Sequence, residues 1–148
     1  MPYPLTMAAN PEALAPGQIA FSETFIQTTP MASSLGIACR CGYWMAVAHL
    51  PLVITYAAEG ALVAEVFDRT VAPEIFKGFQ MFARMRAGQR FDETVFFGSV
   101  SGWGCQAVGY TELRGFFEGA STRFALQDEE DGPCKVQITE NALSVMPL

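Results

Sequence analysis

Between Arg40 and Glu59 the chain carries no Asp, Glu, Lys or Arg. Few structures can accommodate such a run. Its length reaches the lower edge of a membrane-spanning helix, but Gly42 and His49 lie inside it and Leu50-Pro51 divides it in two. Two buried strands fit better. From Ile37 the odd positions read Ile37, Cys39, Cys41, Tyr43, Met45 and Val47, with smaller or polar residues between them. That period of two predicts a long half-buried strand, or a strand pair broken near Gly42. Residues 52–56 follow, rich in β-branched and aromatic side chains, then a Glu59-Gly60 turn and a further strand over 62–67.

The same signal recurs later. Residues 94–100 read as a strand, Ser101-Gly102 as a two-residue turn and 103–110 as its partner, which together predict a hairpin. Residues 134–139 alternate strictly, Glu140-Asn141 turns, and Leu143 and Val145 continue on one face. Two segments have helical spacing. Residues 73–86 place Ile75, Phe76, Phe79, Phe82 and Met85 on one side, with Pro73 suited to a first turn. Residues 111–126 carry Leu113, Phe116, Phe117, Ala120 and Phe124, although Gly115 and Gly119 would each cost that helix about 1 kcal/mol against Ala. The expected fold is all-β or β-rich: a small β-barrel or sandwich with one or two short helices, formed by residues 19–148 as one domain.

Residues 1–18 read differently. Pro2, Pro4, Pro11 and Pro16 punctuate them, and Glu12 is their one charged side chain. Such a segment lacks the donors and the periodicity to fold alone. It reads as an extended N-terminal arm that needs a surface to lie on, a neighbouring subunit being the expected one. Tyr3, Leu5 and Met7 are the candidate assembly contacts, because they would otherwise be stranded apolar groups.

Composition agrees with an assembly role. Hydrophobic residues make up 51 % of the chain and charged ones 16 %, below the usual quarter, and surplus apolar surface tends to end in subunit contacts. A net charge of −6 and a pI near 4.7 argue against nucleic-acid binding, which rests on Lys and Arg. The first residues have neither the basic start nor the continuous apolar run of a signal peptide, so a soluble protein without a membrane partner is expected. Four cysteines then read as free thiols in a reducing compartment, and Cys39-Arg40-Cys41 places two of them on one strand face.

Catalytic chemistry has little to work with. Nucleophilic catalysis needs Ser, Cys or Thr beside a base, and His49 is the one histidine. A dyad of His49 with Cys39 or Cys41 is one conceivable arrangement, and a zinc site would need the Cys39 and Cys41 pair with Cys105, Cys134 or His49. Gly98-Ser99-Val100-Ser101-Gly102 does not have nucleophile-elbow spacing, and no Lys follows Gly102-Trp103-Gly104 as a phosphate loop requires. The acidic run over 128–131 reads as a solvated turn, and Phe96, Phe97, Trp103 and Tyr110 as packing. No catalytic residue, cofactor or metal is expected.

In order, several segments resemble the structural cement (decoration) proteins of tailed-bacteriophage heads. They are Met1-Pro2-Tyr3 and Thr6-Met7 leading to Gly17-Gln18-Ile19-Ala20, then Leu35-Gly36-Ile37-Ala38, then the run from Ala61 to Thr70. Ala87-Gly88-Gln89-Arg90-Phe91 followed by Phe96-Phe97-Gly98-Ser99-Val100 completes the set. Together they cover about half the chain. The basic residue usual after the family's glycine is missing at Gly98-Ser99-Val100, and residues 111–126 have no counterpart. The resemblance implies a non-enzymatic virion protein on the capsid exterior, made in the host cytoplasm. Its partners would be the major capsid protein and copies of itself, expected as a trimer. Two alternatives stand beside it: a small acidic chaperone of type III secretion, and a β-barrel that holds a small ligand.

Overall fold

A computed structural model describes residues 5–67, 69–82, 88–129 and 131–148. Its first described residues already belong to a sheet: β1 (Thr6–Met7) pairs in parallel with β2 (Gln18–Ser22). A short β3 (Phe25–Gln27) follows, then β4 (Ser34–Cys41) and β5 (Trp44–Pro51), joined through Gly42 at φ +62° and the exposed Tyr43. The hairpin of β6 (Val53–Ala58) and β7 (Ala61–Val66) leads to helix α1 (Ala72–Phe82). Then come β8 (Phe91–Gly98), helices α2 (Val100–Gln106) and α3 (Tyr110–Gly119), and β9 (Ser121–Asp128). The hairpin of β10 (Cys134–Thr139) and β11 (Ala142–Pro147) completes the chain.

Three layers result. The central sheet has the order β1-β2-β5-β4-β8-β9, a second sheet the order β11-β10-β3, and β6 and β7 pair alone. One face of the central sheet carries Ile37, Cys39, Ala46, Ala48 and Phe96 against Ile75, Phe79, Trp103, Leu113 and Phe117 of the helices. The other carries Ala38, Val47, Val95 and Phe97 against Ile26, Val136 and Val145 of the second sheet. Phe117 is the centre of the helical side, with the rings of Phe76, Phe79, Phe91 and Phe96 between 5.1 and 6.2 Å away. Phe79, Phe91, Phe96 and Phe117 are fully buried, and each contributes roughly 1.5–3 kcal/mol.

The fold is β-rich, as the periodicity indicates, and of the two expected forms it takes the sandwich. The central sheet ends at β1 and β9, so a layered sandwich forms and no closed barrel does. Three helices appear among the described residues. The alternation around Gly42 is a strand pair, one of the two forms its spacing predicts, and all eight residues of β4 are buried because both faces are covered. The two-residue turn also shifts the parity: Cys39 stands opposite Ala46, so the even positions of β5 share the face of Ile37 and Cys39. Met45 and Val47 therefore point to the second sheet.

The hairpin expected over 94–110 is a strand followed by α2. Gly98, at φ +85°, ends the strand where a Cβ would come within 2.7 Å of the Ser34 carbonyl. Trp103 then turns inward, its ring tilted against that of Phe67 with centroids 4.9 Å apart, and donates its indole N–H to the Ser33 carbonyl at 3.0 Å. The helix expected over 111–126 holds only as far as Gly119. Its second half is β9, parallel to β8, and α2 and α3 form the crossover that a parallel pair requires. On α1, Ile75 and Phe79 face the core as expected, while Met85 lies outside the described residues.

Candidate functional site

The N-terminal segment finds its surface on its own domain. Thr6 N–H donates to the Gly17 carbonyl at 2.9 Å and Ala8 N–H to that of Ile19 at 2.8 Å. Leu5 packs on the helical core, and its Cδ2 lies 3.1 Å from where a Cβ on Gly78 would stand. Met7 is 50 % exposed, and Tyr3 lies outside the described residues. Leu14 is fully buried in the second core. Of the candidate contacts, then, Met7 faces solvent and Leu5 turns inward.

His49 and the Cys39-Arg40-Cys41 thiols do not meet. Gly36 stands opposite His49 and Cys39 opposite Ala46, so a one-step parity difference puts the imidazole and the thiol on opposite faces of the sheet. Cys39 and Cys41 do share a face, as their spacing indicates, and both are buried. Cys134 is buried in the other core and Cys105 is exposed. Among the described residues no three His, Cys, Asp or Glu side chains gather to hold a metal.

The buried thiol is held in its neutral form. Ser121 Oγ donates to the Phe117 carbonyl at 2.6 Å, which cannot donate in return. Thr94 Oγ1 must then give its hydrogen to Ser121 Oγ, 2.7 Å away, and Cys39 Sγ gives its own to Thr94 Oγ1 at 3.4 Å. The relay ends on a backbone acceptor and satisfies every member. Burial raises the Cys39 pKa far above the usual thiol range, and raises that of Cys41 too, with nearby Asp92 adding to it. Burial likewise pushes Cys134 up to about 11. All three shifts favour the neutral thiol over the thiolate that nucleophilic chemistry uses.

Two polar centres had no signal in the sequence. Glu93 Oε1 accepts the Leu143 N–H at 2.8 Å and lies 3.5 Å from Arg40 Nε and 3.8 Å from Arg123 Nη2. It ties β4, β8, β9 and β11 together. Asp128, read as part of a solvated acidic turn, accepts the Ser101 N–H at 2.9 Å and the Ser101 hydroxyl. These two hydrogen bonds hold its carboxyl below the usual carboxylate range. Both centres depend on residues far apart in the chain, which local spacing does not reveal.

One cleft of about 430 Å³ opens between α1 and α3. Phe76 and Phe116 stack along it, 5.4 Å between centroids, and Gly115 and Gly119 leave a strip of α3 without side chains. Arg90 borders it and closes the helix end, donating to the Gly119 carbonyl at 2.8 Å and that of Ser121 at 2.7 Å. Comparison of the sequence with protein-family models and with curated proteins finds no match.

Proposed function

We propose that this chain is a non-enzymatic structural protein that covers apolar surface between subunits, with decoration of a phage capsid as the specific role. The observation that carries the reading is the division of side chains between inside and outside. His49 and three of the four thiols are buried, with His49 on the sheet face opposite Cys39, whereas Leu62 at 80 %, Tyr43 at 73 % and Met7 at 50 % exposure present apolar surface at turns and a sheet edge. Weak contacts of that kind gain strength when many copies engage one lattice. The resemblance to cement proteins supplies the partner, a major capsid protein on the particle exterior. Mixing purified protein with undecorated phage heads and sedimenting the particles tests the reading. Co-sedimentation that Met7→Asp and Leu62→Asp weaken supports it, and protein that stays in the supernatant overturns it.

The cleft favours a second reading, the binding of a small apolar ligand against Phe76 and Phe116. Anilinonaphthalene sulfonate fluorescence that rises with the folded protein and disappears in Gly115→Leu supports that alternative.

A further inference from the structure

β9 is the long free edge of the central sheet, and we propose that a second copy of this chain pairs with it, antiparallel about a two-fold axis at Ala125. The two central sheets would then run on as one. The inference goes beyond the capsid reading and does not depend on it.

The phase of the ladder sets which groups are free. Phe91 N–H donates to the Ala120 carbonyl at 2.9 Å, across from Ser121. In a parallel ladder that turns the N–H and C=O of Thr122, Phe124 and Leu126 toward β8, and those of Arg123, Ala125 and Gln127 outward. Among the described residues these outward groups meet no backbone partner. The edge contains no proline, and Arg123 is its one basic side chain; edges that are protected from pairing usually carry more of both.

The strand is complementary to itself. With Ala125 opposite Ala125, the outward groups of Arg123 and Gln127 face each other and complete a two-fold set of hydrogen bonds. Phe124 stands opposite Leu126 twice, and Leu126, 42 % exposed in the single chain, is then covered. Thr122 meets Asp128. Charge selects the direction, because Arg123 lies in the first half of the strand while Asp128 ends it and Glu129 follows. Antiparallel pairing sets Arg123 of each copy diagonal to Glu129 of the other, whereas parallel pairing stacks like on like. The competing edges fit less well. β1 has two residues, and β11 ends in Pro147 with its Val145 carbonyl already taken by Gln127 Nε2 at 2.8 Å.

Sedimentation velocity of the full chain at micromolar concentration tests this. The expected species has twice the 16.1 kDa of one chain. Ala125→Pro, which removes one outward N–H and no bond to β8, and Leu126→Glu should each raise the dissociation constant about tenfold or more. Unchanged circular dichroism would show that the fold is retained. In a Cys105→Ser background, Ala125→Cys should form a disulfide-linked dimer under mild oxidation, since facing residues of a hydrogen-bonded antiparallel pair lie about 5.5 Å apart. That cross-link tests the axis even if Ala125→Pro fails to fold. A monomeric or trimeric chain overturns the proposal, as does a dimer that Leu126→Glu leaves intact and Ala125→Cys does not cross-link. A cross-linked dimer that ignores phage heads keeps the β9 pairing and removes the capsid reading.

Discussion

His49 shows what enclosure does to a titratable group in this fold. Its Nδ1 lies 2.9 Å from the Leu14 carbonyl, an acceptor only, so Nδ1 carries the hydrogen and Nε2 is the bare nitrogen. Nε2 is buried with no partner among the described residues. Burial holds the pKa below its ordinary 6.5, and the hydrogen bond to Leu14 opposes this only in part. The unfolded chain therefore binds a proton that the folded chain resists. The contribution of His49 to stability should be flat above about pH 7 and should decline as the pH falls below 6.5, by at most about 1.4 kcal/mol per pH unit for one proton. Melting temperatures from pH 7.5 to pH 5 in native protein and in His49→Gln check this. The variant should lose the slope across that interval, and an unchanged slope would mean that another group is responsible.

At the scale of elements, the parts legible in the sequence are those closed by local turns. β4 to β7 and the β10–β11 hairpin follow from alternation broken at Gly42, at Glu59-Gly60 and at Glu140-Asn141, where φ is positive in every case. α2 and β9 were hidden because their determinants are remote. Asp128 reaches back to the first turn of α2 across 27 residues. β9 forms because β8 offers an edge there, although the apolar spacing of Leu113, Phe116, Phe117, Ala120 and Phe124 carries on in helical register. Of the candidate site, the shared face of Cys39 and Cys41 was legible from period two, while the separation of His49 from them hung on the turn length. α3 itself has room for improvement. A Cβ on Gly115 meets no atom within 4 Å, so Gly115→Ala should raise stability by about 0.5–1 kcal/mol, measurable by urea denaturation. A loss of stability there would show that something occupies the cleft face of the helix.

For the whole molecule, the N-terminal segment belongs to the sandwich. Removing residues 1–18 would take away β1, the buried Leu14 and the carbonyl that holds His49. The truncated chain should therefore fail to fold, whatever it binds. Leu14→Ala alone should cost about 2–5 kcal/mol, read from the denaturation midpoint, as for other fully buried leucines. At the far end of the chain, Thr28 N–H donates to the Cys134 carbonyl at 2.8 Å, and Cys134 N–H donates to Thr28 Oγ1 at 3.0 Å, 106 residues apart. On a ribosome, the β4–β5 hairpin emerges long before β10 and β11, two of the three strands that roof its second face. Until residues 134–147 arrive, Ala38, Val47 and Val95 have only β3 and the N-terminal segment beside them. The nascent chain must wait with an apolar side open to every other chain nearby. A stop codon after residue 133 should make that waiting state permanent, giving insoluble protein and no smaller stable domain.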